Sequence, residues 1–194
     1  EIPAKNPTHH EIGERRSNQK FAGAFVYEPT PGLYTDVVMI DFTSMYGSVI
    51  VTYNLSRSTF VGGKEDNYTF SKKQGFFPIL LSEIIDMRKK YKKEYALKKD
   101  NMSKARSNGY KLLANAAYGY QAFFGARYHS REAASSTARL AKDNILSVID
   151  SIKKEGYDVL YSDTDSVAFL QGGKKKKEVL SFIETLNKNL PGIM

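Results

Sequence analysis

The chain has 194 residues, of which 41% are hydrophobic and 26% are charged, a composition typical of one folded domain or of a domain with an insertion, and not of a disordered chain. It contains no cysteine, which excludes disulfides and thiolate metal sites, and it has no apolar run near the roughly 20 residues of a membrane span. The net charge of +8 favours a polyanionic partner, although a basic balance can also serve solubility alone.

The first third of the chain predicts two strands and one helix. Residues 1–20 are polar and are expected to be irregular, and Phe21–Tyr27 predicts a strand followed by a turn rich in proline and glycine. The apolar run Asp36–Phe42 predicts a strand that is buried on both faces. A short helix is expected over Ser44–Asn54, and the turn signals in residues 55–77 predict a loop.

The middle of the chain predicts an αα-hairpin. Pro78 is well placed in the first turn of a helix that extends to Lys99, with apolar and aromatic side chains along one side (Ile84, Met87, Tyr91 and Tyr95). A break near Asn101 leads to a second helix from about Ser103 to Tyr120. Because this pair is highly charged and has little apolar surface to bury, we expect it to project from the domain.

The last third predicts a helix, a β-hairpin and a final helix. The first helix covers roughly Ser130–Glu155 and ends at Gly156, and the hairpin covers Tyr157–Leu170 with a final helix from about Lys174. This order of elements indicates an α+β fold in which an antiparallel sheet carries helices on one face. The chain starts at Glu1 and stops just after a predicted helix, so we expect a piece of a longer polypeptide or one subunit of a split protein.

Three aspartates stand at the ends of apolar runs. Asp41 ends the predicted strand Asp36–Phe42, while Asp163 and Asp165 stand at the tip of the β-hairpin. If the strands are neighbours, the three carboxylates converge, and their repulsion favours a bound divalent cation such as Mg²⁺, which takes oxygen ligands and shares them with substrate phosphates. Taken singly, Asp163 and Asp165 are also good turn residues, and Asp41 is also a good helix cap.

Cations line one face of the predicted αα-hairpin. Lys111, Asn115 and Tyr118 are spaced i, i+4, i+7, so a lysine and an aromatic ring share one face of the second helix. Arg88 and Lys92 are spaced i, i+4 on the first helix and can bind phosphate oxygens, although a basic helix face of this kind is also commonly solvated. Acids at both ends and a cationic helix between them suggest a nucleoside triphosphate that meets two metal ions, whereas the remaining lysines of the first helix are expected to be solvated.

Three motifs, in order, resemble those of family B DNA polymerases of the archaeal kind. DFTSMYGSVI is similar to the family's Asp-x-x-Ser-Leu-Tyr-Pro-Ser, KLLANAAYG to Lys-x-x-x-Asn-Ser-x-Tyr-Gly, and YSDTDS to Tyr-Gly-Asp-Thr-Asp-Ser. The segment Phe21–Ala24 resembles the family's Tyr-x-Gly-Gly/Ala element, which touches template DNA. The chain departs from the family pattern at Phe21, Gly47, Ala116 and Ser162.

This resemblance implies a domain plan and roles for individual residues. Residues 1–77 and 126–194 would form the palm, with its antiparallel sheet, and residues 78–125 would form the projecting fingers hairpin. Asp41, Asp163 and Asp165 would be catalytic and would bind two Mg²⁺ ions (or Mn²⁺) together with the carbonyl of Phe42. The nucleotide would be bound by Ser44, Met45, Tyr46, Arg88, Lys92, Lys111, Asn115, Tyr118 and Gly119, and DNA by Phe21, Gly23, Ala24 and Arg127.

The implied activity is template-directed DNA synthesis by nucleotidyl transfer from a dNTP to a primer 3′-hydroxyl. The implied partners are primer–template DNA, dNTP, and exonuclease and thumb parts in cis or on a separate chain, with a sliding clamp as a further candidate. No membrane partner is expected, and an archaeal protein of this kind would be cytoplasmic and associated with the nucleoid. The alternatives are a non-catalytic polymerase-like scaffold that binds nucleic acid, and an aspartate-phosphorylating hydrolase suggested by Asp41-Phe42-Thr43 after a strand.

Overall fold

The computed structural model describes residues 5–18, 23, 25–65 and 67–191, which form six α-helices and six strands. In chain order these elements are α1 (His9–Ser17), β1 (Val26–Tyr27), β2 (Val37–Asp41), α2 (Met45–Thr52), β3 (Phe60–Lys64), β4 (Asn67–Phe70), α3 (Phe76–Lys98), α4 (Asn101–Ala122), α5 (Arg131–Lys154), β5 (Val159–Asp163), β6 (Ser166–Leu170) and α6 (Lys176–Asn189). None of the helices in these ranges combines the length and the apolar composition that crossing a bilayer requires.

The main sheet is antiparallel and has the strand order β1-β5-β6-β2. The predicted β-hairpin forms its centre, and β2 lies at one edge with Asp41 paired to Ser166. The expectation that β2 is buried on both faces was wrong, because Val37 and Met39 are 45% and 63% exposed. Only Val38 and Ile40, which alternate with them, pack against the core. An apolar run on an edge strand therefore covers one face only.

Helix α5 forms the centre of the core against the inner face of the sheet. Its small and aliphatic side chains pack with Met45, Val49 and Ile50 of α2 and with Val167 and Phe169 of β6. The α5 residues in this core are Ala133, Ala141, Ile145, Val148, Ile149 and Ile152. Their spacing at i, i+3, i+4 places one apolar stripe toward the sheet. The predicted α+β layering, with an antiparallel sheet and helices on one face, is confirmed.

Helices α3 and α4 form the predicted αα-hairpin. The Asp100 side chain caps α4 by accepting a hydrogen bond from the Ser103 amide at 2.8 Å, and Lys99 adopts a positive φ of 55° in the link between the helices. Near the sheet, Leu81 and Ile85 of α3 are buried, whereas Leu97 at the far end is 84% exposed. The predicted apolar side (Ile84, Met87, Tyr91 and Tyr95) is only half-buried, because most of the hairpin extends away from the core.

Two segments that were expected to be irregular are ordered. Helix α1 begins at a capping box in which Thr8 and Glu11 bond reciprocally, a local signal within residues 1–20 that composition alone does not show. Residues 55–77 contain the β3–β4 hairpin. The side-chain amide of Asn54 donates hydrogen bonds to the carbonyls of Ser71 and Lys73, at 2.7 and 2.8 Å, and so holds the segment that follows β4. The turn residues in this stretch therefore separate short strands. Of the expected strand Phe21–Tyr27, the described residues show only β1.

The core depends on a cluster of three aromatic rings. Tyr157 lies 5.1 Å from Phe169 and 5.2 Å from Phe182 between ring centroids, and Phe169 is fully buried. Replacing Phe169 with alanine is expected to lower the free energy of unfolding by about 3–5 kcal/mol, because it leaves a cavity between β6 and α6. The matched control is Leu97→Ala on the exposed hairpin, which should shift that free energy by less than about 0.5 kcal/mol in denaturant unfolding. Equal losses in both variants would contradict this packing.

His129 should make the stability of the fold depend on pH. Its side chain is 8% exposed, and burial, followed by the positive charge of Arg15, lowers the pKa of its imidazole below the usual value near 6.5. The folded state takes up this proton at a lower pH than the unfolded chain does. The contribution of neutral His129 to the free energy of unfolding is therefore fully present above about pH 6.5 and is lost as the pH drops through and below that value. Thermal unfolding between pH 7.5 and 5.5 should show a smaller decrease in Tm for His129→Gln than for the parent. An identical pH dependence in both proteins would exclude His129 as the group responsible.

Candidate functional site

One cleft lies where the end of β2 and the start of α2 face the αα-hairpin. It has a volume of about 590 Å³, within the range of small-molecule sites. Its walls come from four elements: the β2–α2 segment, the β5–β6 turn, α3 and α4. Of the residues that the sequence proposed for metal or nucleotide, it is lined by Asp41, Phe42, Ser44, Met45, Tyr46, Arg88, Lys92, Lys111, Asn115, Tyr118, Gly119 and Asp165.

Asp41 and Asp165 form the acidic edge of the cleft, and backbone pairing brings their segments together. The amide of Phe42 donates to the carbonyl of Asp165 at 2.8 Å, so the end of β2 is bonded to the β5–β6 turn. Within that turn the amide of Asp165 donates to the carbonyl of Asp163 at 2.6 Å, and Thr164 adopts a positive φ of 53°. Residues more than 120 positions apart in the chain are thereby held side by side.

Burial and like charges raise the pKa of one carboxyl at the acidic edge. Burial, followed by the negative charge of Asp41, raises the pKa of the Asp165 carboxyl above its usual range, and Asp163 adds to this effect. Lys111 acts in the opposite direction, because its positive charge stabilises the carboxylate. A divalent cation would relieve the same repulsion.

Two of the three aspartates that the sequence proposed as metal ligands line the cleft, namely Asp41 and Asp165. The described residues hold no group of three or more His, Cys, Asp or Glu side chains placed to bind one metal ion together. Asp163 does not line the cleft; its side chain is exposed and accepts a hydrogen bond from Thr164 Oγ1 at 2.8 Å. The remaining oxygen donors are the carboxylates of Asp41 and Asp165 and the main chain of Phe42. This set fits Mg²⁺, which is commonly bound by one or two carboxylates and completes its shell with water and phosphate oxygens.

The backbone bends sharply at Ser44 before α2 begins. Ser44 adopts left-handed dihedral angles, φ 56° and ψ 50°, a conformation that costs a serine roughly 1 kcal/mol or more. This bend turns the first residues of α2, Met45 and Tyr46, into the cleft. The N–H groups of a first helical turn have no acceptor within the helix and attract anions. The start of α2 therefore presents a suitable surface for phosphate.

The hairpin supplies the opposing cations. Lys111 and Asn115 line the cleft from α4, and Arg88 and Lys92 line it from α3. Arg88 also donates a hydrogen bond to the hydroxyl of Ser44, which joins α3 to the bend before α2. Sequence reasoning proposed both residues for nucleotide binding but missed this bond, since nothing in the sequence marks a pair 44 positions apart.

Two tyrosines close the cleft beside the acidic edge. The rings of Tyr46 and Tyr118 are stacked, with 4.3 Å between centroids and 9° between planes. Burial is the main cause that raises the pKa of both phenols, to about 12 for Tyr118, so both are neutral near pH 7. Gly47 follows Tyr46 in the chain, and the packing around it does not require glycine. An added Cβ would lie 3.5 Å from Ile85 Cδ1, which is an ordinary van der Waals contact.

Of the residues proposed for DNA contact, Gly23 and Arg127 do not line the cleft. Gly23 is exposed, whereas Phe21 and Ala24 fall outside the described residues. Arg127 is half-buried and its guanidinium lies 5.9 Å from the centroid of the Tyr128 ring. Sequence reasoning missed the role of Arg15, which donates to the carbonyls of Phe124 and Ala126 at 3.3 and 3.2 Å and so ties α1 to the segment after α4.

Comparisons with known proteins show which family this chain resembles. A family model described as DNA polymerase family B matches residues 5–192. The chain is 33% identical over 211 residues to "DNA polymerase 1" of Pyrococcus abyssi, and 34% identical over 212 residues to the DNA polymerase of Pyrococcus glycovorans. Each alignment covers 100% of this chain and 27% of the relative, so the chain spans about a quarter of the length of these relatives.

A solved structure shows the same fold. The family B DNA polymerase from the hyperthermophilic archaeon Pyrobaculum calidifontis superposes with a TM-score of 0.70 and 30% sequence identity, over 87% of this chain and 24% of that chain. The resemblance inferred from the three motifs is confirmed. The chain belongs to DNA polymerase family B.

Proposed function

We propose that this chain forms the polymerising core of a DNA-directed DNA polymerase, which joins a dNTP to a primer 3′-hydroxyl under the direction of a template. The single observation that carries the proposal is that one cleft is lined by Asp41 and Asp165, by the start of α2 and by three cations from α3 and α4. This arrangement combines oxygen ligands for metal with positive groups for a triphosphate. The relatives named DNA polymerase support the same activity.

The proposed domain plan follows the elements. Residues 1–77 and 126–194 form the palm, which contains the sheet and α5, and residues 78–125 form the fingers, which consist of most of α3 and α4. The palm holds the acidic edge and the fingers hold Arg88, Lys92 and Lys111. A hairpin that carries cations and is anchored only at its base can adjust its distance to the palm. Nucleotide binding would therefore occur between two parts of the chain.

Each wall of the cleft has a proposed task. Arg88, Lys92 and Lys111 bind and orient the triphosphate, with the amides of Ser44, Met45 and Tyr46 at the start of α2, while Asn115, Tyr118 and Gly119 shape the pocket around the new base pair. Asp41, Asp165 and the Phe42 carbonyl would hold two Mg²⁺ ions, or Mn²⁺, with Asp163 as the neighbouring acid. When bound, these ions supply Lewis-acid activation of the primer hydroxyl and charge stabilisation at the departing pyrophosphate.

Electrostatics explains why both signs of charge are needed in one cleft. The carboxylates repel one another and repel a triphosphate, so they hold substrate only through a divalent cation. The cations of α3 and α4 bind the phosphates directly and are placed before the substrate arrives, which avoids reorganisation during the reaction. The half-buried Tyr46–Tyr118 stack limits water at this side of the cleft. The protein thus mainly positions charge.

The proposed substrates are primer–template DNA and dNTP. The exonuclease and thumb parts of the family would be supplied in cis or by a separate chain, and a sliding clamp is a further candidate partner. Such a protein would act at the nucleoid. A polymerase-like scaffold without catalysis would bind the same DNA but would not incorporate nucleotides.

Asp165→Asn is expected to lower nucleotide incorporation by at least about 100-fold, because one charged ligand at a metal site contributes several kcal/mol to transition-state stabilisation. Mg²⁺-dependent primer extension by the protein that carries this chain is the measurement. Asp158→Asn is the matched control, since Asp158 is exposed just before β5 and away from the cleft. Unchanged extension by Asp165→Asn would refute its role, and no extension by the parent protein would favour the scaffold.

Tyr46→Ala is expected to reduce discrimination against ribonucleotides by about 10- to 100-fold, because we propose that this ring packs against the sugar and excludes a 2′-hydroxyl, as the family resemblance implies. The ratio of kcat/KM for dNTP and the matching ribonucleotide measures this effect. Tyr46→Phe keeps the ring and should keep most of the discrimination. If Tyr46→Ala left the ratio unchanged, another group would exclude the hydroxyl.

A further inference from the structure

A second cavity lies outside the nucleotide cleft, where α1, the turn before β3 and the start of α5 meet. It has a volume of about 500 Å³, which is enough for a small molecule. We refer to it as the arginine cavity, because Arg15, Arg57 and Arg131 line it together with His129 and Ser130. None of the residues that line this cavity lines the nucleotide cleft, so the two are separate sites.

The three arginines reach the cavity from three different elements. Arg15 belongs to α1, Arg57 to the turn that precedes β3, and Arg131 is the first residue of α5. The guanidinium of Arg131 is held in place, because it donates to the Tyr68 hydroxyl at 3.0 Å and pairs with Glu65. Cations that are positioned around one space before a ligand arrives favour an anion with oxygens on several sides, such as phosphate.

The N-terminal end of α5 also faces the arginine cavity. Ser130 caps this helix, since its hydroxyl accepts a hydrogen bond from the Ala133 amide at 3.2 Å. The first N–H groups of a helix have no acceptor within the helix, and the macrodipole adds partial positive charge at this end. The start of a 24-residue helix therefore adds to the attraction that the arginines exert on an anion.

His129 contributes a buried polar atom to the same cavity. The residue lines the cavity and is only 8% exposed. Its Nδ1 atom is buried and has no hydrogen-bond partner among the described residues. Such an atom costs free energy unless a ligand or a water completes its bonding. This observation is independent of the helix end and also indicates a polar ligand.

Positive charge prevails around His129. After burial, the charge of Arg15 is the main cause that lowers the pKa of the imidazole, and it outweighs the opposing effect of Glu132. Two acids line the cavity, but Glu132 accepts a hydrogen bond from Ser130 Oγ at 3.0 Å and Glu14 is exposed. An anion in the cavity would offset the charge of the arginines and so favour a proton on His129.

We propose that the arginine cavity binds a small free oxyanion of the phosphate type, with Arg15, Arg57 and Arg131 around it and the start of α5 at its side. The bound anion connects α1, the turn before β3 and α5, and it favours the protonated form of His129. The inference is independent of the proposed function, because no residue of the nucleotide cleft takes part. A local hollow between three elements suits a free ion better than a strand that continues in both directions.

Calorimetric titration with inorganic phosphate at fixed ionic strength tests the site in the protein that carries this chain. Arg57→Ala is expected to weaken this binding about 10-fold, because it removes a charge-assisted contact, and Arg57 is exposed, so its removal should leave the fold intact. Arg57→Lys should retain part of the affinity. The matched control is Lys64→Ala, which removes an exposed cation of β3 that does not line the cavity. Equal affinities in the parent and Arg57→Ala would overturn the proposal.

Two further titrations separate this site from other sites for phosphate. The nucleotide cleft also attracts phosphate, so the titration is repeated in Lys111→Ala, in which the binding that depends on Arg57 should remain. Its loss in Lys111→Ala would assign the phosphate to the cleft and overturn the proposal. A single-stranded oligonucleotide should not displace phosphate from the arginine cavity, whereas displacement that depends on Arg57 would assign the cavity to nucleic acid instead of a free anion.

Sulfate tests the link to His129, because its charge stays constant between pH 8 and pH 6. Sulfate should bind about 3- to 10-fold more tightly at pH 6, since the anion favours the protonated imidazole, and His129→Gln should remove this difference. The other charged groups that face the cavity keep their charge over this range, and they are Glu14 and Arg15 of α1, Arg57, and Arg131 and Glu132 of α5. Sulfate binding that does not change with pH would overturn the role of His129, and no binding of phosphate or sulfate would overturn the site itself.

Discussion

The pairing of β2 with β6, completed by the hydrogen bond from the Phe42 amide to the Asp165 carbonyl, is the constraint on which the site depends. Strand β2 ends at Asp41, and β6 begins directly after the turn that contains Asp165. Neither feature would indicate a site by itself. Their pairing places Asp41 and Asp165 together at the edge of the sheet, where burial and mutual repulsion raise the pKa of Asp165. Folding energy from the core beneath, centred on α5, therefore sustains an arrangement of like charges that is unfavourable by itself.

The rest of the chain is arranged around that acidic edge. The bend at Ser44 directs the start of α2 into the cleft, and Arg88 holds this bend from α3. The αα-hairpin carries Arg88, Lys92 and Lys111 on the side that lines the cleft, and such charged side chains are costly to bury in a core. It projects, and its far end remains exposed. After α4 ends, Arg15 donates to the carbonyls of Phe124 and Ala126 and so ties α1 to the segment that follows α4.

Much of this arrangement was predictable from the sequence. The helices of the hairpin, α5 with its Gly156 end and the β5–β6 hairpin follow from apolar periodicity and turn chemistry, which are local signals. Helical spacing placed Lys111, Asn115 and Tyr118 on one face of α4, whereas the remaining cleft residues were proposed from the resemblance to the family's motifs. Exposure on β2 was mispredicted because an apolar run does not reveal whether its strand is central or at an edge. The Arg88–Ser44 bond and the Tyr46–Tyr118 stack depend on tertiary packing, for which the sequence carries no local mark.

The central claim is that the two carboxylates hold divalent cations in contact with the triphosphate. Its most direct test is a crystal structure of the protein bound to primer–template DNA, a non-hydrolysable dNTP analogue and Mn²⁺, with the ions located by anomalous scattering. The account predicts anomalous peaks between Asp41, Asp165 and the phosphate oxygens, beside the Phe42 carbonyl. Mn²⁺ bound to the triphosphate without contact to either carboxylate would contradict it.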